Sequence, residues 1–360
     1  MSETPENQPE MPKFQQADFE RITQIVTTEF QVEEALLDRG TPTYYLKWPQ
    51  ETKQTFLRLL KKLGETELIA FLKRPNNRVV LTVTVKPPVK PSSVRIYWGF
   101  FIATVATTFI TGYFSFGSTG LSPLTSGTIY SAAILTVLGV HEMGHKVTAN
   151  RKKVEATSPY FIPGPPPLGT LGAVIMQKSL PPNRDALFDI GANGPIAGFI
   201  VALVFSIVGL MTLVPFNIPP GGGTLPLMPV SWVYVLLPGL DRLGLIPATN
   251  SGYALNPIAW AGWAGMVVTM LNLLPAAMLD GGHVARSVAS DRWRFVLTIL
   301  SVAVLVFSGP NFIIMAFLVV FMSLFRHPGP LDDVSGLSRS RKLVTVALVV
   351  VFALSFPITI

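Results

Sequence analysis

Cysteine is missing altogether from the 360 residues, and histidine nearly so, with four copies. The first absence excludes disulfides and thiolate metal ligands, so any metal centre must be built from His, Asp or Glu. Charge is scarce as well: Asp, Glu, Lys and Arg make up 14% of the chain, where a soluble globular domain carries about 25%. Set against 49% hydrophobic residues and a mean hydropathy of +0.46, that shortfall argues against an ordinary water-soluble fold. The apolar surplus needs lipid to cover it. The first residues, MSETPENQPEMPKFQQADFERI, contain no short apolar core of a secretory signal, so membrane insertion is expected to begin at an internal span.

The chain divides near Pro91. Before it, residues 19–30 and 51–63 carry apolar side chains at helical spacing, and the second stretch (ETKQTFLRLLKKL) sets Phe56, Leu57, Leu59, Leu60 and Leu63 among lysines and arginines. Residues 44–48 and 67–73 read as strands, and 78–85 (RVVLTVTV) alternates, with Pro75-Asn76-Asn77 as the connecting turn. The expectation is a small soluble α+β domain over residues 18–90. An acidic, disordered tail of residues 1–17 precedes it, and the proline-punctuated residues 86–91 link it to a membrane domain over 91–360.

Crossing about 30 Å of hydrocarbon takes roughly 20 helical residues. Runs of that kind occupy residues 96–113, 128–149, 188–214 and 254–274, and a last one 343–360. Residues 295–325 are interrupted by Ser308-Gly309-Pro310-Asn311 and read either as one kinked helix or as a hairpin. Charge decides between them. Lys86, Lys90 and Arg95 precede the first run, Lys146, Arg151, Lys152, Lys153, Lys178 and Arg184 follow the second, and Arg286, Arg292 and Arg294 follow the fourth. The alternate connections, 114–127 and 215–253, hold only Arg242. By the positive-inside rule the N-terminal domain and the basic loops are cytoplasmic, and a hairpin keeps Arg326, Arg339, Arg341 and Lys342 on the same side. The expected architecture is an all-α polytopic membrane domain of about six to seven transmembrane helices, C-terminus external. The net charge of +7 then reflects topology and anionic lipid rather than nucleic acid.

Inside the second run stand His141-Glu142-Met143-Gly144-His145. On a helix the two histidines lie one turn apart on one face, where both imidazoles can hold one zinc ion while the glutamate between them reaches the hydrolytic water. A catalytic zinc keeps three protein ligands, and the candidate for the third is Asp280, in NLLPAAMLDGGH, at the end of the fourth run. The second and fourth runs point the same way, so His145 and Asp280 fall at matching depth. Pro275 is expected to end the helix before Asp280, and Gly281-Gly282 to turn the chain sharply behind it. His283 is the competing ligand, with a polar loop residue as its ordinary reading. Asp189 fits equally a partner for a zinc histidine or a helix N-terminal carboxylate. His327 reads as solvated, Gly221-Gly222-Gly223 as an external linker, and residues 230–240 as an interfacial or re-entrant segment.

These motifs resemble the site-2 protease family of intramembrane zinc metalloproteases. The resemblance is carried by His141-Glu142-x-x-His145, by Gly191-Ala192-Asn193-Gly194-Pro195-x-x-Gly198, and by Asn272-x-x-Pro275 followed by Leu279-Asp280-Gly281. It implies a catalytic core of three helices over about residues 128–283 and one zinc ion on His141, His145 and Asp280. It further implies Glu142 as the base and transmembrane proteins in the bilayer as substrates. The Asn272 amide is suited to hydrogen-bond the substrate backbone or an oxyanion. Residues 169–176 are β-prone, and Gly172, Ala173, Val174 and Ile175 could pair edge-to-edge with an unwound substrate. The N-terminal domain, outside the resemblance, is free to bind a regulator or substrate. Two other classes compete: a membrane metal transporter or metal-binding protein using the same cluster, and a catalytically inactive scaffold relative.

Overall fold

The computed structural model describes residues 14–89, 91–212, 214–215, 230–231, 253–324 and 328–358. Two compact units emerge. The first comprises residues 1–90 with the short segments 180–184 and 329–336, and the second comprises 91–179, 185–328 and 337–360.

In the first unit, helix α1 (Gln16–Thr27) leads into strands β1 (Val32–Asp38) and β2 (Thr41–Leu46). Helix α2 (Lys53–Gly64) and strands β3 (Leu68–Lys73) and β4 (Val79–Val85) follow. The strands form one antiparallel sheet in the order β1-β2-β4-β3. Alternation puts Leu46, Val79, Leu81, Val83 and Leu72 on one face, where they close a core with Val26, Phe56, Leu59 and Leu63 of the helices. Strand β1 escapes the sequence reading because VEEALLD carries three acidic residues and does not alternate. What makes it a strand is the tight turn after it, with Arg39 at φ 49° and Gly40 at φ 83°, the left-handed pair of a two-residue hairpin. Helix α1 starts three residues before the expected position, and Phe14 packs against the same core, so the last residues of the expected tail are ordered. The segments 180–184 and 329–336 join this unit by backbone bonds: Leu72 donates to the carbonyl of Leu331 at 2.8 Å, and Asp333 donates to that of Leu72 at 3.0 Å. Arg184 pairs with Asp333 at 3.1 Å. Such long-range pairing leaves no local periodicity to read.

The second unit starts with α3 (Val94–Ser115) and α4 (Pro123–Arg151), continues through a hairpin of β5 (Tyr160–Pro163) and β6 (Thr170–Val174), and reaches α5 (Arg184–Met211). Beyond these lie α6 (Pro257–Leu273), α7 (Asp280–Val288), α8 (Asp291–Phe307), α9 (Ile313–Ser323) and α10 (Arg339–Ser355). Helices α3, α4 and α5 are long and apolar enough to cross a membrane, while α6 and α9 are shorter apolar helices. The unit is therefore mainly, not wholly, helical, since β5 and β6 pair antiparallel across Phe161 and Ala173. Local chemistry sets the helix ends. Ser122 caps α4 by accepting from the Thr125 amide at 3.2 Å with Pro123 in the first turn, and Asn256 caps α6 through the Ala259 amide at 2.9 Å. The Asn256 amide also donates to the carbonyls of Gly209 and Thr212 at 2.9 and 3.0 Å, tying the start of α6 to the end of α5. Residues 295–325 are broken at Ser308 and Gly309, the latter at φ 119°, so two helices replace the single-helix alternative. The expected glycine linker 221–223, Arg242, His327, the tail up to residue 13 and residues 232–240 lie outside the described residues.

Candidate metal centre

Helix α4 is 29 residues long, about 44 Å at 1.5 Å per residue, so His141 stands about 27 Å from its start. The spacing of four puts the His141 and His145 rings on one face with centroids 5.0 Å apart. Both are buried, as is Glu142 between them.

Across from them comes Asp280, the first residue of α7. Three atoms meet: Nε2 of His141, Nε2 of His145 and Oδ2 of Asp280, with all three separations at 3.2 Å. Among the described residues they are the one group of three His, Asp or Glu side chains whose ligand atoms converge within 4.8 Å. Ligands about 2.0–2.1 Å from a tetrahedral zinc stand about 3.3–3.4 Å from one another, so the triangle has the dimensions of one face of such a site. The protonation pattern agrees. His145 Nδ1 lies 2.7 Å from the carbonyl oxygen of Ile190, and since a carbonyl only accepts, that nitrogen carries the proton and donates. In the neutral ring Nε2 is left with a lone pair facing the Asp280 carboxylate, an arrangement that a cation between them relieves.

The carbonyl that orients His145 belongs to Ile190 of α5. No ligand pattern in the sequence points to Ile190, because a backbone carbonyl carries no side-chain signature. The same helix must approach the histidines closely. A Cβ on Gly194 would lie 2.0 Å from His145 Nε2, and one on Gly198 would lie 2.8 Å from His141 Nδ1. These two positions therefore have to be glycine for the imidazoles to stand where they do.

Helix α6 ends at Leu273, before Pro275, and Asp280 opens α7 seven residues later. Gly281 and Gly282 do not make the expected sharp turn. They lie inside α7, where a Cβ on Gly281 would meet the Leu273 carbonyl oxygen at 2.2 Å, so their role is to let α7 start against the end of α6. Asn272 reaches the cluster with its Nδ2 3.3 Å from His141 Nε2. Asp189 turns the other way and does not partner a histidine of the cluster: it binds Lys152 at 2.7 Å and Arg341 at 2.6 Å. His283 is a helix residue rather than a loop residue, and it lines a cavity of about 200 Å³ together with Glu142, His145 and Asp280. Strand β6 and its continuation also line it, through Ala173, Val174 and Ile175. The Ile175 backbone amide donates to the Glu142 carboxylate. Gly172, at φ 105°, sits farther along the hairpin.

Residues 129–303 match peptidase family M50. The chain is 33% identical over 199 residues to the probable zinc metalloprotease EGY2, chloroplastic, of Arabidopsis thaliana, covering 54% of this chain and 34% of that one. It is 34% identical over 231 residues to the probable zinc metalloprotease EGY1, chloroplastic, of Oryza sativa subsp. japonica, covering 60% and 38%. To the probable zinc metallopeptidase EGY3, chloroplastic, of Arabidopsis thaliana it is 29% identical over 263 residues, covering 64% and 44%. These matches span less than half the length of the curated relatives. No solved structure matches the chain.

Proposed function

From the match of residues 129–303 to peptidase family M50 we propose that the chain is an intramembrane zinc metalloprotease of the site-2 type. The reading rests on the triangle of 3.2 Å edges formed by His141, His145 and Asp280. These three residues would hold one zinc ion. Bound there, zinc lowers the pKa of a water towards about 7 and polarises a carbonyl.

The chain's own groups do the rest. Glu142, buried in the wall of the cavity, takes a proton from the attacking water and passes it to the leaving amine. The Ile175 amide holds its carboxylate in place. The Ile190 carbonyl keeps His145 in one tautomer. Asn272, whose amide reaches the cluster, donates to the substrate carbonyl oxygen as negative charge grows on it. The substrate enters unwound, because a helical peptide bond is shielded by its own hydrogen bonds, and the backbone of Gly172, Ala173, Val174 and Ile175 pairs with it as a strand.

Substrates on this reading are transmembrane proteins, cut within or near their spans in a lipid bilayer. By the positive-inside rule, the loops rich in Lys and Arg favour a cytoplasmic N-terminal unit and active-site end of α4, with the C-terminus outside. Helices α3, α4, α5, α6 and α10 cross. Helices α8 and α9, 17 and 11 residues long, form a hairpin; α9 extends about 17 Å, too short to cross alone. The open sheet face of the N-terminal unit, with Thr43, Tyr45, Thr82 and Phe71, is where a regulator or substrate would dock. A transporter would need further ionisable sites along a path. The single cluster of its kind among the described residues favours hydrolysis. The test is cleavage of reconstituted single-span proteins with a zinc chelator and after zinc is restored. Cleavage that is lost and regained supports the proposal, and cleavage indifferent to the chelator overturns it.

A further inference from the structure

The cavity beside Glu142 has more room than one water needs. At about 200 Å³ it exceeds the roughly 150 Å³ that holds a benzene ring, while a water takes about 30 Å³. Its lining is mixed. Glu142, His145, Asn272, Asp280 and His283 supply polar groups. Ala149, Ala156 and Ala173 add small apolar side chains, and two methionines, Met278 and Met322, add flexible ones. Among the described residues no Lys or Arg lines it, so an acidic side chain entering beside Glu142 and Asp280 would meet like charge with no basic side chain to offset it.

The two methionines come from elements with different origins. Met278 lies in the short connection between α6 and α7, two residues before Asp280. Met322 is the penultimate residue of α9, beyond the stretch 129–303 that matches the family. Both are partly buried. Methionine, unbranched and polarisable, fills an irregular gap and yields to a guest more readily than a branched side chain. A chamber that opens on the reacting groups and is walled in part by small and adaptable apolar side chains fits a side chain of the substrate itself.

We infer that this cavity receives the side chain of a residue flanking the scissile bond, and that Met278 and Met322 set its size, favouring Leu or Phe. The inference rests on the proteolytic reading above. It adds a specificity that the zinc cluster does not supply: Gly leaves the chamber unfilled, Glu is rejected, and Trp is too large. Because Met322 belongs to α9, the preference is a property of this chain's hairpin rather than of the three residues at the metal.

The test uses full-length protein in liposomes, with Met322→Trp, Met278→Phe and Met322→Ala variants assayed for zinc content alongside the wild type. The probe is a tagged single-span segment of about 20 residues. The residues on each side of its mapped scissile bond are set in turn to Gly, Leu, Phe, Trp or Glu. At one of the two positions the wild type should prefer Leu and Phe to Gly and Glu by about 10- to 200-fold in kcat/KM. Met322→Trp and Met278→Phe should abolish or reverse the preference for Leu over Gly there, and Met322→Ala should raise Trp relative to Leu by about tenfold. Because each ratio compares two substrates on one variant, partial loss of folded enzyme cancels. Cleavage with wild-type ratios at both positions in all three variants would overturn the pocket alone. A wild type that cuts none of the substrates with zinc present would overturn the proteolytic reading with it.

Discussion

Replacing Gly194 by Ala should empty the metal centre while strengthening the helix that carries the change. Helix α5 gains from the substitution on propensity grounds by about 1 kcal/mol. The new Cβ, however, would lie 2.0 Å from His145 Nε2, 2.3 Å from Cε1 and 2.4 Å from Cδ2, where ordinary contact begins at 3.4 Å. The ring must therefore give way by about 1.4 Å, and zinc coordination tolerates deviations of about 0.2 Å. A retreat of that size also costs the 2.7 Å bond from Nδ1 to the Ile190 carbonyl. Loss of such an orienting partner alone lowers metal affinity about 10- to 100-fold, so losing it together with the ligand position should cost at least about 100-fold, or about 2.8 kcal/mol. The assay is a zinc titration of the purified protein against a competing chelator, with helix content followed by circular dichroism. Gly99→Ala in α3 is the control, because a Cβ there meets nothing within 4 Å. Gly194→Ala protein that binds zinc as tightly as Gly99→Ala protein would refute the reasoning.

Other consequences are testable on the same preparation. Ile175→Pro removes the amide that donates to Glu142, and cleavage should fall about tenfold or more with zinc retained; unchanged cleavage would show that the carboxylate does not need that bond. Arg341→Met strips Asp189 and Asp185 of partners at 2.6 and 3.1 Å and should destabilise the protein by about 1.5–3 kcal/mol, seen as a lower midpoint of thermal unfolding in detergent; an unchanged midpoint contradicts this. In the N-terminal unit, the hydrogen bond from Lys62, with Arg58 beside it, holds the Glu29 carboxyl below its ordinary value of 4.5. Its stabilisation is fully present above that value and is lost as pH falls through the lowered one. Glu29→Gln should therefore remove part of the acid sensitivity of amide exchange in α2 below about pH 4.5, and equal acceleration in both proteins would count against it.

Local pattern carried much of the architecture into the sequence. Phe56, Leu59 and Leu63 recur at helical spacing, and the alternation of RVVLTVTV announces β4, because each element buries one face. Pro275 ends α6 through its missing donor, and the break at Gly309 separates α8 from α9. What stayed hidden depends on distant partners. Strand β1 is held by its neighbour rather than by its own acidic sequence. The segments at Leu331 and Pro181 join the N-terminal unit through backbone bonds that no side-chain pattern encodes. At the metal centre, the convergence of Asp280 on the histidines has a trace in the motif and in matching depth. The Ile190 carbonyl, a backbone group on a third helix, has none. Asp189 stayed open in the sequence for a related reason: its spacing from the histidines is the same whichever way its side chain turns, and Lys152 and Arg341 take it. The glycines after Asp280 suggested a bend, whereas they serve close packing of α7 on the end of α6.

Glu142 carries the proton transfer of the proposed hydrolysis. It lies in the wall of the same cavity as Asp280 and His145 but outside the triangle of ligand atoms. Glu142→Gln keeps its size and one acceptor while removing its ability to take a proton. Zinc content and the rate of cleavage of a single-span substrate should be measured on the same sample. The expected result is wild-type zinc binding with cleavage reduced about 10²- to 10⁴-fold. Cleavage at the wild-type rate in a zinc-loaded Glu142→Gln protein would contradict the account.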